Sequence, residues 1–151
     1  MKVWGIGCRV MAGQAVVVGL EAEGPRDLAT GRRVFRHKSN PKEDWALKLA
    51  LLASDLDTEL RKAPPDAVVV RSMDHTPSRR DLITRPRYQI EGVVLAVARK
   101  YVATVQAHSG KEIGDLCRTS KVAVEEEARL RFPGEDVDAG AAAIAALVVS
   151  G

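Results

Sequence analysis

The sequence predicts an α/β fold: a mixed five-stranded sheet flanked by helices, in the order βββαβαβαα. Three observations predict it. Two apolar runs near the N-terminus, Lys2–Cys8 and Gln14–Leu20, lie close together with glycine between them, the pattern of a hairpin. A short, wholly apolar run, Ala67–Val70, reads as a central strand of a sheet covered on both faces. From residue 40 onward, stretches with helical periodicity alternate with short strand-like runs.

The elements follow in order. Lys2–Cys8 is a buried strand, and Gln14–Leu20, Val-rich and bounded by glycines, is its hairpin partner. Glu21–Arg32, rich in Gly, Pro and charge, reads as a loop, and Arg33–His37 as a third, edge-like strand. At Asn40-Pro-Lys-Glu43, Asn40 suits an N-cap, Pro41 the first helical position and Glu43 the capping-box spacing. Trp45, Leu49, Leu52, Leu56 and Leu60 then keep helical rhythm until Pro64-Pro65. After the Ala67–Val70 strand, Ser72–Pro86 reads as a polar loop. A second helix starts at Arg87 or Tyr88 and runs to Tyr101, with Ile90, Val94, Val97 and Tyr101 inward. Ala103–Ala107 is the fifth strand, and Lys111–Leu116 a short helix or turn. Ser120 can cap a helix to about Leu130, which Phe132-Pro133-Gly134 breaks. Asp136 or Asp138 caps a final Ala-rich helix ending near Val149.

Length and composition bound the function. The 151 residues suffice for one domain with a real core, and no internal repeat or linker divides residues 1–151. Apolar residues make up 46% and charged residues 28%, ordinary for a globular chain. With aromatics at 4%, the core must be built from Val, Leu, Ile and Ala. A net charge of +3 and a pI near 9.0 suit an anionic partner without requiring one. Cys8 and Cys117 form no CxxC pair and read as reduced thiols of a cytoplasmic protein, although two cysteines can in principle pair. No apolar run is long enough to span a membrane. The chain carries no GxSxG, Walker or GxGxxG pattern.

Four segments then appear in one order: Asp66-Ala-Val-Val-Val-Arg71, Ile90-Glu-Gly-Val-Val-Leu-Ala-Val-Ala98, Thr119-Ser-Lys121 and Val137-Asp-Ala-Gly140-Ala-Ala-Ala-Ile-Ala-Ala146. This order resembles the RuvC-type Holliday-junction resolvases of the ribonuclease H-like superfamily, over Val3 to Ala146. The resemblance implies a ribonuclease H-like fold and a DNA partner. It also implies two metal ions held about 4 Å apart by four carboxylates. At the matching positions this chain has Gly7, Arg71, Val137 and Gly140. Shifting the last helix by one residue would place Asp138 on the first of its two positions. Glycine and valine offer no side-chain ligand and arginine repels a cation, so the scaffold is kept while its catalysis is expected to be lost. The family's phosphate-binding lysines fall on Lys111 and Lys121, the latter at a helix start that itself favours phosphate. Family members act as homodimers, which would place a symmetric interface on the helix from Arg87 to Tyr101, with Leu82, Ile83 and Tyr88 as its apolar edge.

Beside the resemblance, Arg71, Arg79, Arg80, Arg85 and Arg87 concentrate positive charge where the cleft should open, offset by Asp74 and Asp81. Arginine binds phosphate in bidentate fashion. The first expectation is therefore an inactive RuvC-like protein, a homodimer without cofactor, binding branched or double-stranded DNA. Its contacts would be Arg71, Arg79, Arg80, Arg85, Lys111 and Lys121. Two alternatives stay open. One is a divergent Mg²⁺-dependent endonuclease with a site relocated among Asp74, His75, Asp81, Glu91, Asp136 and Asp138. The other is a protein-interaction scaffold.

Overall fold

Five strands form one sheet in the spatial order β3-β2-β1-β4-β5. They are β1 (Lys2–Met11), β2 (Gln14–Glu23), β3 (Thr30–Lys38), β4 (Ala67–Arg71) and β5 (Thr104–His108). The computed structural model of the chain describes residues 1–74 and 81–151. The first three strands run antiparallel, while β1, β4 and β5 are parallel. The helices are α1 (Trp45–Lys62), α2 (Asp81–Arg99), α3 (Gly110–Leu116), α4 (Lys121–Arg131) and α5 (Val137–Ser150). The predicted order is observed with one helix more, because the segment expected as a short helix or turn at 111–116 is α3; among the described residues no helix is long and apolar enough to cross a membrane.

Two cores lie on opposite faces of the sheet. Trp4, Ile6, Cys8, Val68 and Val70 face α1 and α2, meeting Leu52, Leu56, Leu60, Ile90 and Val94. Val3, Leu20 and Val69 face the other way, onto α5 and the helices behind it. The period of two along β1 assigns Gly5 and Gly7 to this second face. A Cβ on Gly5 would lie 2.1 Å from the Ala143 nitrogen and 2.2 Å from the Ala139 oxygen, so α5 rests directly on the strand. The same closeness accounts for the alanines of α5. Every residue from Ala139 to Leu147 is buried, because α5 is sandwiched between β1 and α4 and larger side chains would push the layers apart.

Several boundaries differ from expectation for identifiable reasons. β2 and β3 extend into the expected loop from both sides and take up half of it. Glu21 is drawn into the sheet by Trp4 Nε1, 3.2 Å away, and by its cross-strand neighbour Arg32 at 3.3 Å. The first helix starts after Asp44, not at Asn40: Asp44 Oδ1 accepts the Leu47 N–H at 2.9 Å, while Asn40 closes a local turn onto the Lys42 N–H. The second helix begins at Asp81, six residues before Arg87. Pro86 sits in its second turn, where it removes a single backbone bond and does not mark the boundary. α2 ends at Arg99, so Tyr101 follows it and donates from its hydroxyl to Asp57 on α1 at 2.7 Å. Cys8 and Cys117 are both free and buried.

Candidate nucleic-acid interface at the end of the central strands

Strands β4 and β5 end side by side next to Gly7 of the longer β1, with Gly7 in register with Arg71 and Arg71 with His108. The C-terminal ends of parallel strands are where such sheets place ligands. The first turn of α5 closes one side of this end. A Cβ on Gly7 would meet Asp136 Oδ1 at 2.8 Å, the Ala139 nitrogen at 3.1 Å and Asp138 Cβ at 3.2 Å. Asp136 is not free to move aside. Its Oδ1 accepts the Ala139 N–H at 2.9 Å as the helix cap, and its Oδ2 pairs with Arg9. The space a carboxylate at position 7 would need is thus filled.

Arg71 occupies the middle of the site. It is 4% exposed. Its Nη1 donates to the Ser72 carbonyl and its Nη2 to Asp74 Oδ2 at 3.0 Å. The same Asp74 oxygen receives Lys121 Nζ at 2.5 Å, and Asp74 Oδ1 receives the Gly110 N–H at 3.0 Å. Both cations close over Gly110, where an added Cβ would stand 2.5 Å from Arg71 Nη2 and 2.8 Å from Lys121. Burial works to raise the Asp74 carboxyl pKa. Hydrogen bonds from Lys121 and Arg71, and their charges, outweigh it and hold the group at about 2.

A second polar set lies beneath. Ser72 Oγ donates to Glu91 Oε1 at 2.5 Å, Glu91 faces Arg87 at 3.4 Å, and Arg87 Nη2 reaches the Arg71 carbonyl at 3.4 Å. Glu91 is 4% exposed. Next to it, Cys8 has its thiol pushed up to about 12 by burial and then by the Glu91 charge.

The positions expected from the sequence are distributed unevenly. Gly7 and Arg71 are neighbours, as anticipated. On α5, Val137 lines a surface depression of ≈ 430 Å³ with Arg9, Asp136 and Asp138. Gly140 faces away, toward Ala128 Cβ at 3.0 Å and Phe132 Cδ2 at 3.3 Å from where its own Cβ would be. The α5 side chain nearest Gly7 is that of Asp138, the residue the register shifted by one would use, with the Ala139 backbone alongside. Lys121 joins the central cluster, whereas Lys111 on α3 and Arg85 on α2 are exposed. His75, Arg79 and Arg80, and the side chains of Asp81, Leu82 and Ile83, lie outside the described residues.

Two divalent cations do not fit these residues. Among the described residues no three His, Cys, Asp or Glu side chains converge as a metal site. Asp74 is bound by Arg71 and Lys121, Asp136 by Arg9, and Glu91 faces Arg87. Protein cations sit against the carboxylates that a metal would require. The relocated site expected under the nuclease alternative is thus not assembled from Asp74, Glu91, Asp136 and Asp138. Sequence reasoning missed Arg9, Ser72 and Gly110. Arg9 was accessible to it, since it lies two residues beyond Gly7 and shares that face of β1.

No protein-family model and no curated protein sequence matches this chain. Solved structures do. Thermus thermophilus RuvC aligns with a TM-score of 0.71 at 17% identity, covering 99% of this chain and 95% of that one. The same organism's RuvC in complex with a Holliday junction substrate aligns at 0.69 and 16% identity, covering 98% and 92%. The yeast mitochondrial Holliday junction resolvase aligns at 0.55 and 14% identity, covering 98% and 77%. Over its whole length, this chain has the ribonuclease H-like fold of the RuvC resolvases.

Proposed function

We propose that this protein is a catalytically inactive RuvC-like protein that binds branched or double-stranded DNA as a homodimer. One observation carries the reading: at the end of the central strands, Arg71 and Lys121 clamp Asp74, and α5 fills the space beside Gly7. The cleft is held together by the protein's own cations, so it can attract phosphate, and among the described residues no carboxylate set is gathered for metal ions. The RuvC structure that holds a Holliday junction substrate supports DNA as the partner. Lys111 and Arg85 are exposed for phosphate contact, and Arg79 and Arg80 belong to the same basic stretch. Arg71 is spent on Ser72 and Asp74, so its part in binding is to hold the cluster and supply charge from below. Such binding is electrostatic and shape-directed, without sequence readout. Tyr88 on α2 and Leu47 and Leu51 on α1 are exposed apolar side chains that a second copy would cover.

The test is incubation of the purified protein with a four-way junction and a matched linear duplex, in Mg²⁺, Mn²⁺ or EDTA, scoring mobility shift and strand cleavage. A junction-selective shift without cleavage is the expected result. Metal-dependent cleavage abolished by EDTA and by Asp138→Asn would overturn it in favour of a divergent nuclease. Absence of any shift, beside a stable protein complex, would favour an interaction scaffold.

A further inference from the structure

The face of the sheet that carries Gly7 continues past α5 onto the edge strand, and there it is basic. Backbone register fixes the rows. Arg9 pairs with Val16 and Val16 with Lys38; Gly7 pairs with Val18 and Val18 with Arg36; Leu20 pairs with Arg33. Directly paired residues point to the same side of a sheet, so Arg33, Arg36 and Lys38 share the face of Gly7. Arg36 stands two strands away from Gly7, roughly 10 Å across the sheet. All three are exposed, and none has an ion pair or a side-chain hydrogen bond among the described residues.

A trough lies between this strip and the turn that leads into α5. It has a volume of ≈ 310 Å³, with Arg33, Arg36 and Met11 on one side and the Gly134–Asp136 turn on the other. Arg9 and Asp136 line both this trough and the depression at the start of α5, so the two are adjacent, with the Arg9–Asp136 pair between them. Three cations, Arg9, Arg33 and Arg36, line the trough with two acids, Glu135 and Asp136, and Arg9 already balances Asp136; Lys38 follows on the same face of β3.

Charged side chains on an edge strand often serve only to block strand addition. The two faces of β3 differ in a way that role does not explain. On the α1 side Arg32 pairs with Glu21, and His37 Nδ1 lies 2.7 Å from Asp55. The uncompensated cations are all on the side that leads to the cleft. Along one face of a strand, side chains recur every ~6.7 Å, about two phosphates of axial rise along one DNA strand.

We infer that Arg33, Arg36 and Lys38 form a second phosphate-contact strip, along which the sugar-phosphate backbone of a DNA arm runs after leaving the cleft past Arg9. This rests on the DNA-binding reading above. The test measures affinity for a four-way junction by fluorescence anisotropy over a salt series, with three proteins compared. These are the wild type, R33A/R36A/K38A, and a charge-matched control R61A/K62A/K100A on the opposite face. Losing three phosphate contacts lowers the slope of log affinity against log salt by about 2.7, which is ~500-fold weaker binding at 0.1 M salt relative to 1 M. The control is expected to keep the wild-type slope. Equal slopes for the two triple variants, with the wild type binding, overturn the strip alone. A wild type that binds neither junction nor duplex overturns the DNA reading and the strip with it. If the alanine variant fails to fold, R33Q/R36Q/K38Q gives the same comparison.

Discussion

Gly7→Asp would restore a carboxylate at the position the resolvase pattern calls for, and the structure says that it should damage the protein. The added Cβ alone falls 2.8 Å from Asp136 Oδ1. To make room, Asp136 must rotate, giving up the cap on Ala139 and its pair with Arg9. Loss of an N-cap costs about 1 kcal/mol, and loss of a half-exposed ion pair at most about 1 kcal/mol more. Gly7→Ala, which has only this steric part, is therefore expected to cost about 1–2 kcal/mol. The aspartate adds a negative charge against Asp136 and Asp138. At ~4 Å and an effective dielectric near 20, each like-charge pair is worth up to about 4 kcal/mol before relaxation. After relaxation, about 2 kcal/mol beyond Gly7→Ala is a reasonable total. The pH dependence has a definite sign. Like-charge neighbours raise the folded-state pKa of the new carboxyl, so its penalty is full at neutral pH and fades as the pH falls through the raised value. The assay is urea unfolding of the wild type, Gly7→Ala and Gly7→Asp at neutral and mildly acidic pH, each with and without millimolar Mg²⁺. If Gly7→Asp is as stable as the wild type at neutral pH, the space beside Gly7 is open and the steric argument is wrong. If Mg²⁺ stabilises Gly7→Asp selectively, the cleft can gather a metal after all, and Arg71 does not exclude it.

Two further predictions concern the buried groups. Asp74 has a depressed pKa, so its pairing with Lys121 and Arg71 contributes stability above the ordinary carboxylate value of 3.8, lost as the pH falls through about 2. The shift alone corresponds to ~2 kcal/mol, but the Asp74 side chain is 37% exposed, and screening reduces this to about 1 kcal/mol. The stability gap between wild type and Asp74→Asn should therefore narrow by that amount between about pH 4 and pH 2 in acid-dependent unfolding; a constant gap would mean that Asp74 is not clamped. The second prediction is that Cys8 is inert in the native protein. Raising its thiol from 9.0 to about 12 lowers the thiolate fraction by ~10³-fold at neutral pH, and burial blocks access as well. Labelling by a thiol reagent, mapped by mass spectrometry, should reach Cys8 only at the rate of unfolding.

The sequence was most legible where a single local rule acts alone. The hairpin, the covered strand Ala67–Val70, the Ser120 cap and the Ala-rich last helix each follow from composition or spacing, and each is where it was expected. Legibility failed where a distant partner decides. Glu21 looks like a loop residue until Trp4 and Arg32 are known to face it. Pro86 looks like a helix boundary because the packing of Ile90 and Val94 that holds α2 together lies beyond it. The cleft divides in the same way. Gly7 and Arg71 were recognisable from the chain, but the clamp on Asp74 joins residues 71, 74, 110 and 121, and the gap beside Gly110 that admits two cations has no sequence signature.

On the proposed reading, the residues around the positions without carboxylates matter as much as the missing ligands. A bare removal would leave Asp74 and Glu91 as half-buried and buried acids with no counter-charge, which is costly. Each faces an arginine, and Asp74 has a lysine as well. Gly7 lets the first turn of α5 lie against the strand, with its Asp136 cap where a side chain at position 7 would begin. Introducing one ligand thus meets both a steric and an electrostatic barrier, and building a metal site here would need the cations removed together with carboxylates introduced. On the proposed reading, this end of the sheet carries protein cations where metal ligands would otherwise stand. That is a surface suited to holding phosphate without cutting it, which is why binding, and not residual cleavage, is the activity to look for first.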